Sequence, residues 1–148
     1  WDDGAMYECA AITIFLCDRH QDAKLAPAHN SPLRSLFLQT LVYFSSSIQT
    51  AFQQDYHPYR FADKIEDEPG AQRRGQKRLM ETLQIIDYQI GENKWILGEC
   101  FSAADIYLYM LTTWLKPSRE HPELSNFPNV QRIAKQTGVR PSIKLVYG

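Results

Sequence analysis

The 148-residue chain carries 16 basic and 17 acidic side chains, a formal charge of −1, with 44% hydrophobic and 22% charged residues. That length suits one domain able to bury about two-thirds of its unfolded surface, and the composition excludes wholesale disorder. Near-neutral charge gives no support for a nucleic-acid or anionic-membrane surface, and the longest near-apolar run, 10–17, is far short of the ~20 residues a membrane span needs.

The chain opens Trp1-Asp2-Asp3-Gly4, with no initiator Met and no basic-then-apolar signal segment. It therefore reads as a processed chain or as the continuation of a larger one. Over 8–19, Ala11, Ile12, Phe15 and Leu16 follow a helical period, and Glu8 stands in the first turn, where a carboxylate complements the helix dipole. A linker over 20–32 holds Pro27, Asn30 and Pro32; Ser31 before Pro32 predicts an N-cap with Pro at the first helical position. The next helix spans 32–54, with Leu33, Leu36, Phe37, Leu41, Phe44, Ile48 and Phe52 in one apolar stripe. Its reverse side (Gln39, Thr40, Ser45, Ser46, Ser47, Gln49) is neutral, which predicts protein contact on more than one side. Pro58 disfavours further helix.

The mixed charges of 60–70, closing on Pro69-Gly70, predict a solvated loop with at most a helical turn. A helix over 71–90 follows, striped by Leu79, Leu83, Ile86 and Ile90 and stopped by Gly91. Arg73, Arg74, Lys77 and Arg78 near its start read as a solvated face, with anion binding the alternative.

The segment 95–106 is the most informative. Ser102 followed three residues later by Asp105 is a capping-box pattern, and Phe101 with Ile106 has the spacing of a hydrophobic staple. From Ile106 to Leu115 few positions are polar, so this helix belongs in the middle of a bundle. Asp105 is then buried, with its oxygens satisfied by backbone N–H groups. A catalytic carboxylate is the alternative, but the cap already accounts for the residue, and Asp105→Ala is expected to cost ~1–2 kcal/mol. Lys116-Pro117 closes the segment, Pro128 opens a shorter helix that Gly138 stops, and a last short helix spans 142–147. No strand alternation is visible. The fold class is all-α, a bundle of about five to seven helices around the one Ser102 opens.

Cys9, Cys17 and Cys100 form no C-x-x-C, and His20, His29, His57 and His121 are scattered, so metal binding is not supported and the thiols read as free. Cys9, near a helix N-terminus, would have its thiolate stabilised; Cys17 reads as packing. There is no Gly-rich phosphate loop, nucleophile elbow or H-E-x-x-H. The residues alone assign no reaction.

The order Asp2-Asp3-Gly4, Tyr7-Glu8-Cys9-Ala10-Ala11-Ile12, Phe15-Leu16 resembles the glutathione S-transferase pattern. There, the last strand and turn of a thioredoxin-like domain lead into a helix opening Glu-Ser-x-Ala-Ile. Phe101-Ser102-Ala103-Ala104-Asp105-Ile106 is similar to the capping box and staple of that family's C-terminal core helix. Phe127-Pro128-Asn129-Val130 and Arg140-Pro141-Ser142 resemble its closing helices.

The resemblance covers nearly the whole chain. It implies a helical bundle of the glutathione S-transferase C-terminal type over 25–148, preceded at 1–24 by the tail of a thioredoxin-like domain. It also implies a cytoplasmic, homodimeric parent enzyme of detoxification. That enzyme would conjugate reduced glutathione, its co-substrate rather than a cofactor, to small hydrophobic electrophiles, with no nucleic-acid or membrane partner. Glu8 and Cys9 match the Glu-Ser that holds the γ-glutamyl end of glutathione, with a thiol, the weaker donor, replacing the hydroxyl. Tyr43, Phe52 and Tyr56 are candidates for the hydrophobic pocket, and the early half of the 32–54 helix would face the partner subunit.

The family's activating Tyr, Ser or Cys and its cis-proline have no counterpart here. No catalytic residue is assigned, and this chain alone is expected to be inactive. The alternative is a non-catalytic glutathione-transferase-like interaction module. A glutathione-dependent isomerase or reductase on the same scaffold would differ in the residue that has no counterpart.

Overall fold

The apolar stripes become the inner faces of seven α-helices in a computed structural model that describes residues 4–148; the expectations for Trp1, Asp2 and Asp3 fall outside them. The helices are α1 (Cys9–Arg19), α2 (Arg34–Tyr43), α3 (Gln49–Tyr56), α4 (Glu68–Ile90), α5 (Ala103–Thr113), α6 (Pro128–Gly138) and α7 (Pro141–Tyr147). No strand forms among the described residues, and no helix among them is long and apolar enough to cross a membrane. The fold is the all-α one expected.

Helix α5 is the axis: none of its residues is exposed. Around it Phe37, Leu41, Phe44, Ile48 and Phe52 meet Leu79, Leu83 and Ile86 of α4 and Val130 and Ile133 of α6, all buried. Three rules decide how these helices begin and meet.

The first concerns the long rod. Residues 34–56 are helical throughout, but α2 and α3 are joined by a π-helical turn, Phe44–Ile48, instead of forming one uninterrupted α-helix. The Val42 carbonyl accepts hydrogen bonds from both Ser45 Oγ (3.1 Å) and Ser46 Oγ (2.8 Å), so side chains compete with the backbone ladder where the turn widens. At the start of the rod, Ser31 Oγ accepts from the Leu33 N–H at 3.2 Å, and the regular helix begins at Arg34.

The second concerns helix starts. Helix α4 begins at Glu68, within the stretch expected to be a loop, because Pro69 occupies a first-turn position whose N–H would have no partner in any case. Helix α6 has no cap of its own. Asp87 of α4 supplies one instead, accepting the Asn129 and Val130 N–H groups at 2.8 Å each.

The third is close approach. A Cβ built on Gly75 of α4 would stand 2.7 Å from the Asp55 backbone nitrogen and 3.1 Å from the Ala51 carbonyl oxygen, both on α3. Glycine is needed there for room. Replacing a mid-helix Gly by Ala ordinarily stabilises by about 0.5–1 kcal/mol. Gly75→Ala is expected to reverse the sign and destabilise by about 1–3 kcal/mol, since α3 must move. Urea unfolding of the two proteins checks it, and a stabilised variant would refute it.

The capping box of α5 forms as the sequence spacing requires. Asp105 Oδ2 accepts the Ser102 N–H (2.8 Å) and hydroxyl (3.0 Å), and Ser102 Oγ accepts the Ala104 N–H (3.3 Å). Asp105 Oδ1 reaches further, to the Ile96 N–H at 3.0 Å. Ile96 lies in a tight turn closed by Trp95 and Gly98, whose φ of +100° favours glycine. Burial pushes the Asp105 carboxyl above the usual carboxylate range, although its donors pull the other way. Phe101 has its ring contacts with Trp95, edge-on at 4.9 Å, and with the Arg140 guanidinium at 3.7 Å.

Candidate functional site

Two hollows lie along α5. The first lies along α1 and α5, about 370 Å³ in volume, and is lined by Cys9, Ile12, Leu16, Ile106, Tyr107 and Met110 among others. At its head the chain enters α1 through Glu8, whose φ of +74° is a conformation that L-residues adopt only under constraint. The kink exposes the Glu8 carboxylate and presents exposed Cys9 as the first residue of α1. A carboxylate beside a helix N-terminus provides one acceptor for a cation and free N–H donors for an anion. A charge-assisted ion pair pins α1 to the bundle: both Asp18 oxygens accept from the one nitrogen Arg34 Nη2, at 2.9 and 3.0 Å. Beside it, burial pushes the Cys17 thiol up.

The second hollow, about 420 Å³, opens between α3 and the end of α5, with Gln49, Phe52, Tyr56, His57, Trp114 and Lys116 on its walls. Phe52 stacks on Tyr56 with centroids 6.3 Å apart and meets Trp114 edge-on at 5.5 Å. The Tyr56 hydroxyl donates to the Trp114 carbonyl at 2.9 Å, which locks the aromatic wall.

One hydrogen bond joins the hollows. The Tyr107 hydroxyl, on the wall of the first, donates to Gln49 Oε1, on the wall of the second, at 2.6 Å. Burial, and then the neighbouring Cys9 and Glu8, push Tyr107 well above the usual tyrosine range, so it stays protonated and remains a donor.

Behind the second hollow lies a buried charge network. Asp55, fully buried on α3, accepts from Arg119 Nε (2.7 Å), His121 Nε2 (2.8 Å) and Gln72 Nε2 (3.2 Å). His121 Nδ1 accepts the Lys116 backbone N–H at 2.9 Å, and that N–H can only donate. The imidazole proton therefore sits on Nε2 and points at Asp55. Burial pushes Asp55 up, but the hydrogen bonds from Arg119, His121 and Gln72 together with the Arg119 charge outweigh it, and the carboxyl lies below its usual range. The Arg119 guanidinium also covers the Tyr56 ring at 4.3 Å.

Of the residues singled out from the sequence, Glu8 and Cys9 stand at the head of the first hollow, and Phe52 and Tyr56 line the second. Tyr43 does not join them. Its hydroxyl donates to the Thr82 carbonyl of α4 at 3.1 Å, a packing contact between α2 and α4. Sequence reasoning missed Gln49, Tyr107, Trp114 and Lys116. Gln49 was visible only as part of a neutral side, and Tyr107 and Trp114 were hidden in an apolar run. Arg73, Arg74, Lys77 and Arg78 are exposed on α4. No group of three or more potential metal ligands occurs among the described residues.

The sequence model of the glutathione S-transferase C-terminal domain matches residues 10–136. The chain belongs to this family. Glutathione S-transferase GstA of Escherichia coli O157:H7 is 28% identical over 144 residues, 97% of this chain and 67% of that protein. A sphingomonad glutathione S-transferase, solved in complex with glutathione, superposes with a TM-score of 0.80 at 26% identity, covering 98% of this chain and 68% of its own. BphK, a bacterial glutathione S-transferase solved as a ternary complex, superposes at 0.81 and 27% identity, again over 98% and 68%. The chain thus spans about two-thirds of the length of these glutathione S-transferases.

Proposed function

We propose that this chain is the helical part of a transferase that conjugates glutathione to small hydrophobic electrophiles. In this reading residues 1–24 are the tail of a thioredoxin-like domain and 25–148 the helical domain of a cytoplasmic homodimer. The Tyr107–Gln49 hydrogen bond carries the reading: it ties the wall that Tyr107 shares with Cys9 to the wall of the aromatic cleft. Glutathione needs that adjacency. Its γ-glutamyl end carries an ammonium for Glu8 and a carboxylate for the N–H groups at the start of α1. Its sulfur must meet an apolar electrophile away from water. A relative solved in complex with glutathione supports glutathione as the ligand.

No residue of the described chain stands out as the group that would favour the glutathione thiolate, so we expect the isolated chain to be inactive. The test is retention of the full-length protein on immobilised glutathione and its elution by free glutathione. Glu8→Ala is expected to weaken binding about tenfold or more, the scale of one hydrogen bond to a charged group. One observation favours a second reading, a non-catalytic interaction module: Cys9 stands where the family pattern has Ser. A full-length protein that passes unretained would establish that reading and overturn ours.

A further inference from the structure

We infer that the cleft between α3 and α5 selects aromatic electrophiles that carry an anionic group such as a carboxylate. This rests on reading the cleft as the co-substrate pocket, and it goes beyond that reading by naming a charge.

Three observations lead to it. First, the cleft is aromatic: Phe52 and Tyr56 stack, and Trp114 meets Phe52 edge-on, which suits an arene. Second, its polar lining is neutral or basic. Lys116 lies on the rim, Gln49 and Gln53 contribute carboxamides, and no carboxylate is among the lining residues. The nearby acid, Asp55, is buried behind the wall and already accepts from three side chains. The Gln49 oxygen is taken by the Tyr107 hydroxyl, which leaves its amide N–H groups as the part free to serve a ligand. Third, the backbone that carries the cation is held in place. The Lys116 backbone N–H is tied to His121, His121 to Asp55, and the Arg119 carbonyl three residues on accepts from Gln76 at 2.8 Å. Lys116 therefore stands on a fixed loop, so the ordering entropy of the chain beneath it is already lost before a ligand arrives. A cationic arene would meet Lys116 with no carboxylate to offset it. An anionic one would stack on the aromatic wall with its charge toward the rim.

The experiment measures binding of three unreactive nitroarenes to the full-length protein by titration calorimetry: 4-nitrobenzoate, nitrobenzene and 4-nitrobenzylammonium. The benzoate is expected to bind about fivefold tighter than nitrobenzene at low salt, the upper end for a pair with one exposed partner. The ammonium is expected to bind weakest, and added salt should compress the series. In Lys116→Met the benzoate-to-nitrobenzene ratio should fall to about one, and Lys116→Arg should restore it.

Equal binding of benzoate and nitrobenzene to the unmodified protein would keep the cleft as an arene site and overturn the charge preference alone. A preference that survives Lys116→Met would also overturn it. Should none of the three bind to protein that is retained on glutathione, the cleft reading falls and the preference with it.

Discussion

Asp55→Ala is expected to lower the stability of the fold by about 3–5 kcal/mol. Removing the carboxylate strands the Arg119 guanidinium, the His121 Nε2–H and the Gln72 amide, all of which now converge on it. It also frees the loop that carries Lys116. The pH dependence has a definite sign. Asp55 is held below its ordinary value, so its contribution is present above the unfolded pKa, about 3.9, and is lost as pH falls through the lower folded value. The stability gap between wild type and Asp55→Asn, measured by urea unfolding, should therefore narrow on going from pH 7 to about pH 3. A gap that stays constant over that range would show the ion pairs to be idle.

Asp105→Ala is expected to cost about 2–4 kcal/mol, more than a helix cap alone, because two buried backbone donors and the Ser102 hydroxyl lose their acceptor together. The Ile96 bond makes the difference, since it ties the Trp95–Gly98 turn to the core helix as well as capping it. Here the pH sign is opposite. Burial raises the folded Asp105 value, so the associated stability is present below the unfolded pKa and is lost as pH rises through the folded one. The gap for Asp105→Asn should shrink toward neutral pH while that for Asp55→Asn grows. A loss near 1 kcal/mol for the Ala variant would reduce Asp105 to an ordinary cap.

These two acids show what a sequence discloses. The role of Asp105 was legible because its main partner, Ser102, is three residues away and the pattern is local. Asp55 was not, because Arg119 and His121 lie 64 and 66 residues further on, and only the packing of the bundle brings them to α3. Phe52 and Tyr56 were named through the family resemblance, and one turn of helix does place them on the same face. Tyr43 and Phe52 are about two and a half α-helical turns apart, with a π turn between them, so the same stripe cannot hold both. Helix starts fared likewise: Ser102 announced α5, whereas the cap of α6 comes from Asp87 on another helix, which no local pattern shows. Lys116 gave no signal, since its placement depends on what His121 does to the backbone beneath it.

Glu8 bears on how this fold could be improved. A non-glycine residue at a φ of +74° costs the folded state about 1–3 kcal/mol, a loss that other contacts must offset. Anyone optimising the chain for heat resistance alone would reach position 8 early and install glycine, since relief of strain there is cheaper than any gain in the packed core. That change would also delete the carboxylate at the mouth of α1. On the role proposed for Glu8, selection for robustness and selection for ligand capture pull this one backbone position in opposite directions, and a thermostable descendant that kept Glu8 would record which of them prevailed.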